Sequence, residues 1–321
     1  MAETTIEWTR GPRGEAGYTF NGWIGCEKIS PGCDHCYAAT QDKFRGWTPE
    51  GWGGPRRRTS KANWKKPTLW NAAAASAGER RRVFCSSLAD VFDNKVPQEW
   101  RDDLFRLIEQ TPNLDWLLLT KRIGNAVHQL WPWWLNDPPA NVWLGATVVN
   151  QEEADRDIPK LLATPARVRF LSMEPLLGPV DLTRIVLKPS DAPQRGKPPV
   201  SINALHSWHG TAGDPARLDW VIPGFESGPG ARPGRLQWAR SLVQQCKAAG
   251  VPVFVKQLGR EVLDDSMSRP GEHWPFGTVR RPIPRQTEWD PAFAISLKHA
   301  KGGDWSEWPE DLRVRQFPEV R

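Results

Sequence analysis

Three of the chain's five cysteines lie within eleven residues, in the segment 25–38. Six residues separate Cys26 from Cys33, and two separate Cys33 from Cys36. The Ser-Pro-Gly sequence at 30–32 predicts a turn, because proline fixes φ and glycine permits positive φ. Such a turn can bring three thiolates together at one point. A structural zinc site normally has four protein ligands, so three thiolates leave one metal position open.

Three kinds of chemistry fit this spacing. A disulfide framework is the least favoured, since a chain of 321 residues with five cysteines does not depend on disulfide cross-links. A structural zinc knuckle, with His35 or a distant cysteine as fourth ligand, is a second interpretation. We favour an iron–sulfur cluster with one open iron, because thiolate is the usual ligand of such clusters.

The string GCxxxSPGCxxCYA at 25–38 resembles the phage-associated three-Cys-motif family of radical-SAM-like proteins. The segments 83–92, 224–233 and 250–257 are similar to that family as well, so the resemblance covers residues 1–260. The cysteine spacing is wider than the three-then-two spacing of most radical-SAM enzymes. His35 also stands where an aromatic residue is usual in those enzymes.

This resemblance implies that Cys26, Cys33 and Cys36 hold a [4Fe-4S] cluster by three irons and that S-adenosyl-L-methionine chelates the fourth. Reductive cleavage of the sulfonium would give a 5′-deoxyadenosyl radical, and an electron donor such as flavodoxin or ferredoxin is the implied partner. We expect the radical to modify a nucleic-acid base or nucleotide. Two alternatives stay open: a metal- or cluster-containing nucleic-acid-binding protein without catalysis, and a radical-SAM enzyme that acts on a small molecule or peptide.

Short apolar runs alternate with segments of helical periodicity along most of the chain. They predict strands near residues 18, 83, 115, 142, 168, 219 and 251, and helices over 36–44, 97–110, 122–131, 151–162 and 236–249. Such alternation favours right-handed βαβ units around a parallel sheet. We therefore predict an α/β fold over residues 1–257, a partial or complete (β/α) barrel of about six to eight parallel strands, and the resemblance implies that this barrel is radical-SAM-like.

Polar side chains follow the predicted strands at the point where each strand ends. In barrels these positions line the active site, although polar residues also end strands simply because loops begin there. Their position at the strand ends makes them candidates for holding the S-adenosyl-L-methionine that the resemblance implies. We expect hydroxyl contacts with the methionyl or ribose groups from Ser86, Ser87 and Thr147, acceptance from the amino group or a ribose hydroxyl by Glu174 or Glu226, and contact with the methionyl carboxylate from Lys121 and Arg232.

Residues 45–82 form a basic segment, with ten Lys or Arg against two Asp or Glu, a net charge of +8 where the whole chain has +6. Four tryptophans, at 47, 52, 64 and 70, are interspersed with these cations. Because cations neutralise phosphates and aromatic rings stack on unpaired bases, contact with DNA or RNA is predicted for this insertion. The alternative is a solvated loop whose tryptophans cover the barrel.

The remaining segments carry weaker signals. No run of 18 apolar residues and no signal peptide is found, so we expect a cytoplasmic protein without a membrane partner. Residues 188–217 read as a Pro- and Gly-rich insertion, in which surface positions are favoured over a metal role for His206 and His209. Cys246 falls on the apolar stripe of helix 236–249, and 258–321 is predicted to be an irregular C-terminal cover.

Overall fold

The computed structural model describes residues 3–11, 13–187, 200–209, 215–264, 279–283 and 293–319. Its α-helices are α1 Tyr37–Arg45, α2 Lys61–Trp64, α3 Lys66–Ala77, α4 Gln98–Glu109, α5 Ile123–Gln129, α6 Pro132–Asn136, α7 Gln151–Ala163 and α8 Leu236–Ala249. Its strands are β1 Tyr18–Thr19, β2 Trp23–Ile24, β3 Arg57–Arg58, β4 Arg81–Cys85, β5 Leu114–Thr120, β6 Val142–Thr147, β7 Val168–Met173, β8 Ile185–Val186, β9 Ser201–Ile202, β10 Trp208–His209, β11 Pro215–Ala216, β12 Trp220–Pro223, β13 Gly234–Arg235, β14 Glu261–Asp264, β15 Val279–Pro282 and β16 Phe293–Ser296. Short 3₁₀ helices occur at Glu7–Thr9, Pro31–Cys33, Trp305–Glu307 and Glu310–Leu312.

A six-stranded parallel sheet in the order β1-β4-β5-β6-β7-β12 forms the frame of the molecule and curls into a half-barrel. Its strands are almost wholly buried, as expected when both faces of a parallel sheet are covered. The predicted α/β partial barrel is therefore confirmed. The seventh predicted strand, near 251, is reduced to a bridge between Val253 and Val221, next to Pro252, which has no N–H to donate.

The predicted first strand is divided into two strands that belong to different sheets. β1 pairs with β4 in the main sheet, with Tyr18 beside Val83. β2 leaves the main sheet and pairs antiparallel with β3, with Ile24 beside Arg57. The cysteine segment that follows β2 is therefore carried on a separate two-stranded ribbon.

The second half of the basic segment is a helix of the barrel rather than an inserted loop. Within α3, Trp70 and Ala74 are each 1% exposed, and the Trp70 ring stacks on Tyr18 with centroids 4.3 Å apart. Because α3 lies between β1 and β4 in the chain and packs on the sheet, it serves as the crossover of that parallel pair. The sequence analysis did not predict this helix, because its short apolar face lies between two groups of charged residues.

The later helices follow the sequence signals closely. The Asn150 side chain accepts a hydrogen bond from the Glu153 amide, which caps α7 at the start predicted for this helix. The Glu153 carboxylate accepts from the amide of Val149. α8 ends at Gly250, whose φ is +64°, and Cys246 lies fully buried on its apolar face.

Part of the predicted irregular C-terminal cover is regular structure. A four-stranded sheet in the order β13-β14-β16-β15 includes three strands from this segment. Two short ribbons, β8–β9 and β10–β11, lie at the edges of the predicted Pro- and Gly-rich insertion. Residues 188–199 and 210–214 of that insertion, and the His209 side chain, lie outside the described residues, while His206 is exposed.

Two apolar clusters occupy the two faces of the curled sheet. The larger one joins alternate strand residues to the helices. The second fills the opposite, inner face with large rings from successive strands, including Phe84, Trp143, Phe170 and Trp220. Across the described part of the chain, every helix is too short or too polar to cross a membrane.

Candidate functional site

The cysteine loop begins at Gly25, where the chain turns away from β2. Gly25 has φ +112°, a conformation that favours glycine, and its amide donates to the Leu88 carbonyl. The next amide, that of Cys26, donates to the carbonyl of Trp52. The loop is thus attached on one side to the segment after β4 and on the other to the segment before β3.

The turn predicted at Ser-Pro-Gly is confirmed. The Ser30 hydroxyl accepts from the amide of Gly32, and the 3₁₀ helix Pro31–Cys33 follows. Cys36 then occupies the residue before α1, without a side-chain capping bond. The three cysteines therefore lie at the start of the loop, at the end of its central turn, and at the entry to α1.

All three loop thiols are free and half-buried. Among the described residues, which include every cysteine, no group of three or more His, Cys, Asp or Glu side chains is arranged to hold a metal ion. The structure therefore brings Cys26, Cys33 and Cys36 onto one loop without gathering their sulfurs around a single point.

The thiol of Cys26 faces a guanidinium that was not singled out from the sequence. Arg122 Nη1 donates to Cys26 Sγ over 3.4 Å, and Nη2 donates to the Glu27 carbonyl over 3.3 Å. Burial raises the pKa of the Cys26 thiol to about 11; the Asp90 carboxylate adds to the rise and Arg122 opposes it. At neutral pH the unliganded thiol is neutral, so metal ligation there releases a proton.

Asp90 ties together the ends of two neighbouring strands. Its carboxylate accepts from the Thr120 hydroxyl over 2.7 Å and from the amide of Lys121 over 3.0 Å, and it lies 3.5 Å from Arg122 Nη1. The residue is only 5% exposed. Asp90 thereby fixes the turn that carries Arg122 to Cys26.

Of the predicted serines, Ser87 has a direct link to the start of α1. Its carbonyl accepts from the Tyr37 hydroxyl over 2.7 Å, and its hydroxyl accepts from Asn21 Nδ2 over 3.0 Å. Ser86 is 6% exposed, with Oγ 3.2 Å from Cys85 Sγ. Asn21, which follows β1, was not predicted and joins the ends of β1 and β4.

Lys121 and Thr147 are neighbours at the ends of β5 and β6. Lys121 Nζ lies 3.5 Å from the Thr147 hydroxyl, which makes this a long hydrogen bond. Thr147 is 3% exposed. The pair therefore lies beside the Asp90–Arg122 cluster, on the same edge of the sheet.

Glu174, at the end of β7, forms an ion pair with Lys256. The ammonium lies 2.7 Å and 2.8 Å from the two carboxylate oxygens. Both side chains are mostly buried, with 16% and 24% exposed. The structure therefore pairs the predicted Glu174 with a cation from the segment that follows the last predicted strand.

Arg232 joins the segment after β12 to the cysteine loop. Its Nε donates to Glu226 over 3.0 Å, while Nη1 donates to Asp34 over 3.1 Å and Nη2 donates to the Pro31 carbonyl over 2.9 Å. Burial acts to raise the pKa of Glu226, but the hydrogen bonds from Arg232 outweigh it, and the pKa is lowered. Glu226 therefore stays ionised in this contact.

The central turn of the loop lies over the sheet's carboxyl-terminal edge. A Cβ built on Gly32 would lie 2.8 Å from Val149 and 3.4 Å from Pro175, the residues that follow β6 and β7. This close approach requires glycine at position 32. Together with the Arg232 contacts, it brings the cysteine loop to the same edge as the predicted polar residues.

Many cations of the basic segment have partners inside the protein. Arg56 is buried, with Nε 2.7 Å from Asp93, and Arg58 pairs with Asp103 at 2.6 Å. Arg80 pairs with Asp115, Arg81 with Glu79, and Arg82 lies among aromatic rings. Arg57, Lys61 and Lys65 remain exposed.

These features define an α/β half-barrel with a three-thiol loop over its carboxyl-terminal edge. The chain belongs to the family described as "Protein of unknown function (DUF5131)", whose profile matches residues 3–299. No curated protein sequence matches it.

One solved structure that the chain matches is described as "Spore photoproduct lyase C140A mutant with dinucleoside spore photoproduct". The two chains are 8% identical, with a TM-score of 0.39. The match covers 91% of this chain and 70% of that one. At this level of similarity, no residue role is carried from one protein to the other.

Proposed function

We propose that the chain is an iron–sulfur radical S-adenosyl-L-methionine enzyme that modifies a nucleic-acid base or nucleotide. One observation carries the proposal: a loop with three free thiols lies over the carboxyl-terminal edge of a parallel half-barrel. In barrel enzymes this edge is where ligands bind and react. Three thiolates are a donor set that holds a cluster and leaves one iron free.

The number of thiols supports a cluster rather than a structural zinc ion. A structural zinc site normally has four protein ligands, whereas this loop supplies three thiols. Thiolate is the usual ligand of iron–sulfur clusters, and three of them leave one iron free.

When bound, a cluster with S-adenosyl-L-methionine supplies one-electron cleavage of the sulfonium and hydrogen abstraction from the substrate. The chain's own residues prepare the site for this. Arg122 donates to the Cys26 sulfur and favours its anionic form. The ion pairs Glu174–Lys256 and Glu226–Arg232 supply a carboxylate and a cation each, which can exchange partners with the amino and carboxylate groups of the cofactor.

Reconstitution under anaerobic conditions tests the proposal. Protein treated with iron and sulfide is expected to bind about four irons per chain and to release 5′-deoxyadenosine from S-adenosyl-L-methionine on reduction. Replacing Cys26, Cys33 and Cys36 together by alanine should abolish both results. Cys246→Ala, which removes a buried core thiol, is the matched control and should retain them.

Two outcomes would contradict the proposal in different ways. Colourless protein with one zinc per chain would favour a metal-containing binding protein. A protein that binds iron but forms no 5′-deoxyadenosine, even with a chemical reductant in place of flavodoxin or ferredoxin, would be a cluster protein without radical chemistry.

A further inference from the structure

The outer face of α1 presents aromatic rings to solvent. Phe44 is 85% exposed and Tyr37, seven residues earlier on the same face, is 53% exposed. Thr40 and Gln41, which lie between them on that face, are exposed too. The two rings are separated by about 10 Å along the helix axis. Because α1 starts directly after Cys36, this face begins at the thiol loop.

The carboxyl-terminal end of the same helix is positively charged. Lys43 and Arg45 are both exposed in its last turn, and the Arg45 guanidinium lies over the Trp47 ring at 5.3 Å. Asp42 is the helix's one acidic residue, and it is 5% exposed. It turns inward to accept from the Thr48 amide over 3.0 Å. The solvent side of α1 therefore carries cations and rings without an acid of its own.

This combination matches single-stranded nucleic acid. Unpaired bases offer flat faces that stack on exposed aromatic rings, while Lys and Arg neutralise the phosphates between them. A duplex keeps its base faces covered and would use only the cations. An acidic redox protein would likewise be attracted by Lys43 and Arg45 but would not require an exposed ring such as that of Phe44.

We propose that the α1 face, defined by Tyr37, Lys43, Phe44, Arg45 and Trp47, binds single-stranded nucleic acid and presents an unpaired base to the thiol loop. This inference names the substrate of the proposed function, and modification of the bound base depends on that function. The binding itself belongs to the unloaded protein and can be measured without iron. It keeps only Arg45 and Trp47 from the predicted interface at 45–82 and adds residues of α1, because Arg56, Arg58 and Arg80 have partners inside the protein.

Fluorescence anisotropy with a labelled mixed-sequence single strand and the same sequence as a duplex tests the surface. The single strand should bind more tightly. Phe44→Ala should weaken that binding about tenfold, since it removes the stacking of one base on this ring. Leu69→Ala, which truncates a 64% exposed apolar side chain on α3, is the control and should bind as the wild type does.

The salt dependence tests the cations separately. The double variant Lys43→Gln, Arg45→Gln should lower the slope of log affinity against log salt by about 1.4, the value expected for two contacts with single-strand phosphates. Unfolding curves of all variants should match the wild type, because the changed side chains are exposed.

Three results would overturn the proposal: equal affinity for duplex and single strand, unchanged single-strand binding by Phe44→Ala, or an effect of Phe44→Ala confined to binding of a reduced flavodoxin. Failure of the proposed function is distinguishable from these results. Intact single-strand binding without 5′-deoxyadenosine formation would refute radical chemistry and leave this surface standing. 5′-deoxyadenosine formation without single-strand binding would refute this surface and leave the radical chemistry standing.

Discussion

The two ends of the half-barrel are built in opposite ways. At the amino-terminal end, Arg82 is 4% exposed and its guanidinium lies 4.8 Å from the Trp143 ring, 5.6 Å from Trp220 and 4.7 Å from Phe317. It donates to the Arg10 carbonyl over 2.7 Å. Burial lowers the pKa of Arg82 to about 10, so it remains charged at neutral pH. This end is closed by rings packed around one cation.

The carboxyl-terminal end is filled by polar groups instead. Its thiols are half-buried, and its ion pairs, such as Glu174–Lys256, keep part of their surface in water. Its contacts come from loops rather than from the sheet, as in the contact between Arg232 and Asp34. The comparison teaches that one end of the sheet is closed by packed rings, while the other keeps polar groups partly in water, at the end where parallel barrels hold their active sites.

Truncation of Trp220 should give the largest loss of stability. This ring is fully buried, contacts Trp143 and Phe254 edge-on, and donates to the Gln316 carbonyl over 2.9 Å. Trp220→Ala should lower the free energy of unfolding by about 3–5 kcal/mol, measured by denaturant titration. Trp133→Ala, at a tryptophan that is 56% exposed, should cost less than about 1 kcal/mol. Similar losses of unfolding free energy for both variants would show that the buried rings at the amino-terminal end contribute no more to stability than an exposed tryptophan.

A buried charge near the cysteine loop is expected to give the next largest effect. The Arg56 and Asp93 side chains are 0% and 1% exposed, and Arg56 packs against Gly25. Asp93→Asn would leave the guanidinium without its counter-charge and should cost about 3 kcal/mol of unfolding free energy. Asp103→Asn breaks the half-exposed pair with Arg58 and should cost less than about 1 kcal/mol. Equal losses of unfolding free energy would mean that the buried ion pair stabilises the protein no more than the half-exposed pair does.

Removal of a loop thiol should have the smallest effect on stability. Cys33 is half-buried and forms no disulfide. Cys33→Ala should change the free energy of unfolding of the unloaded protein by less than about 0.5 kcal/mol while it reduces iron binding on reconstitution. A loss comparable to that of Trp220→Ala would contradict the division of roles between the two ends.

The sequence predicts the frame of this protein well because its strands are nearly continuous apolar runs. β5 and β6 are buried along almost their whole length, so each appears in the sequence as an apolar run that can be recognised without knowledge of its neighbouring strands. α7 and α8 were predictable for a similar reason, since Asn150 and Gly250 mark their ends locally. The crossover helix α3 was not, because only three of its side chains, Pro67, Trp70 and Ala74, are buried and charged residues flank it on both sides.

The site could be predicted only in part because its contacts join distant segments. The three cysteines and the turn between them are local features and were visible in the sequence. Arg122, Asp90 and Asn21 were missed because each acts on a residue more than 25 positions away, with separations of 96, 30 and 66 in their main contacts. The sequence around a single polar residue after a strand does not indicate which distant residue its side chain will contact.

The contacts of Arg232 with the cysteine loop have a consequence for the order in which the protein matures. They connect positions that are 198 and 201 residues apart. As the chain leaves the ribosome, the cysteine loop emerges early. Its contacts with Arg232 can form only after about 200 more residues have been synthesised. A polypeptide that ends before Arg232 therefore lacks these contacts.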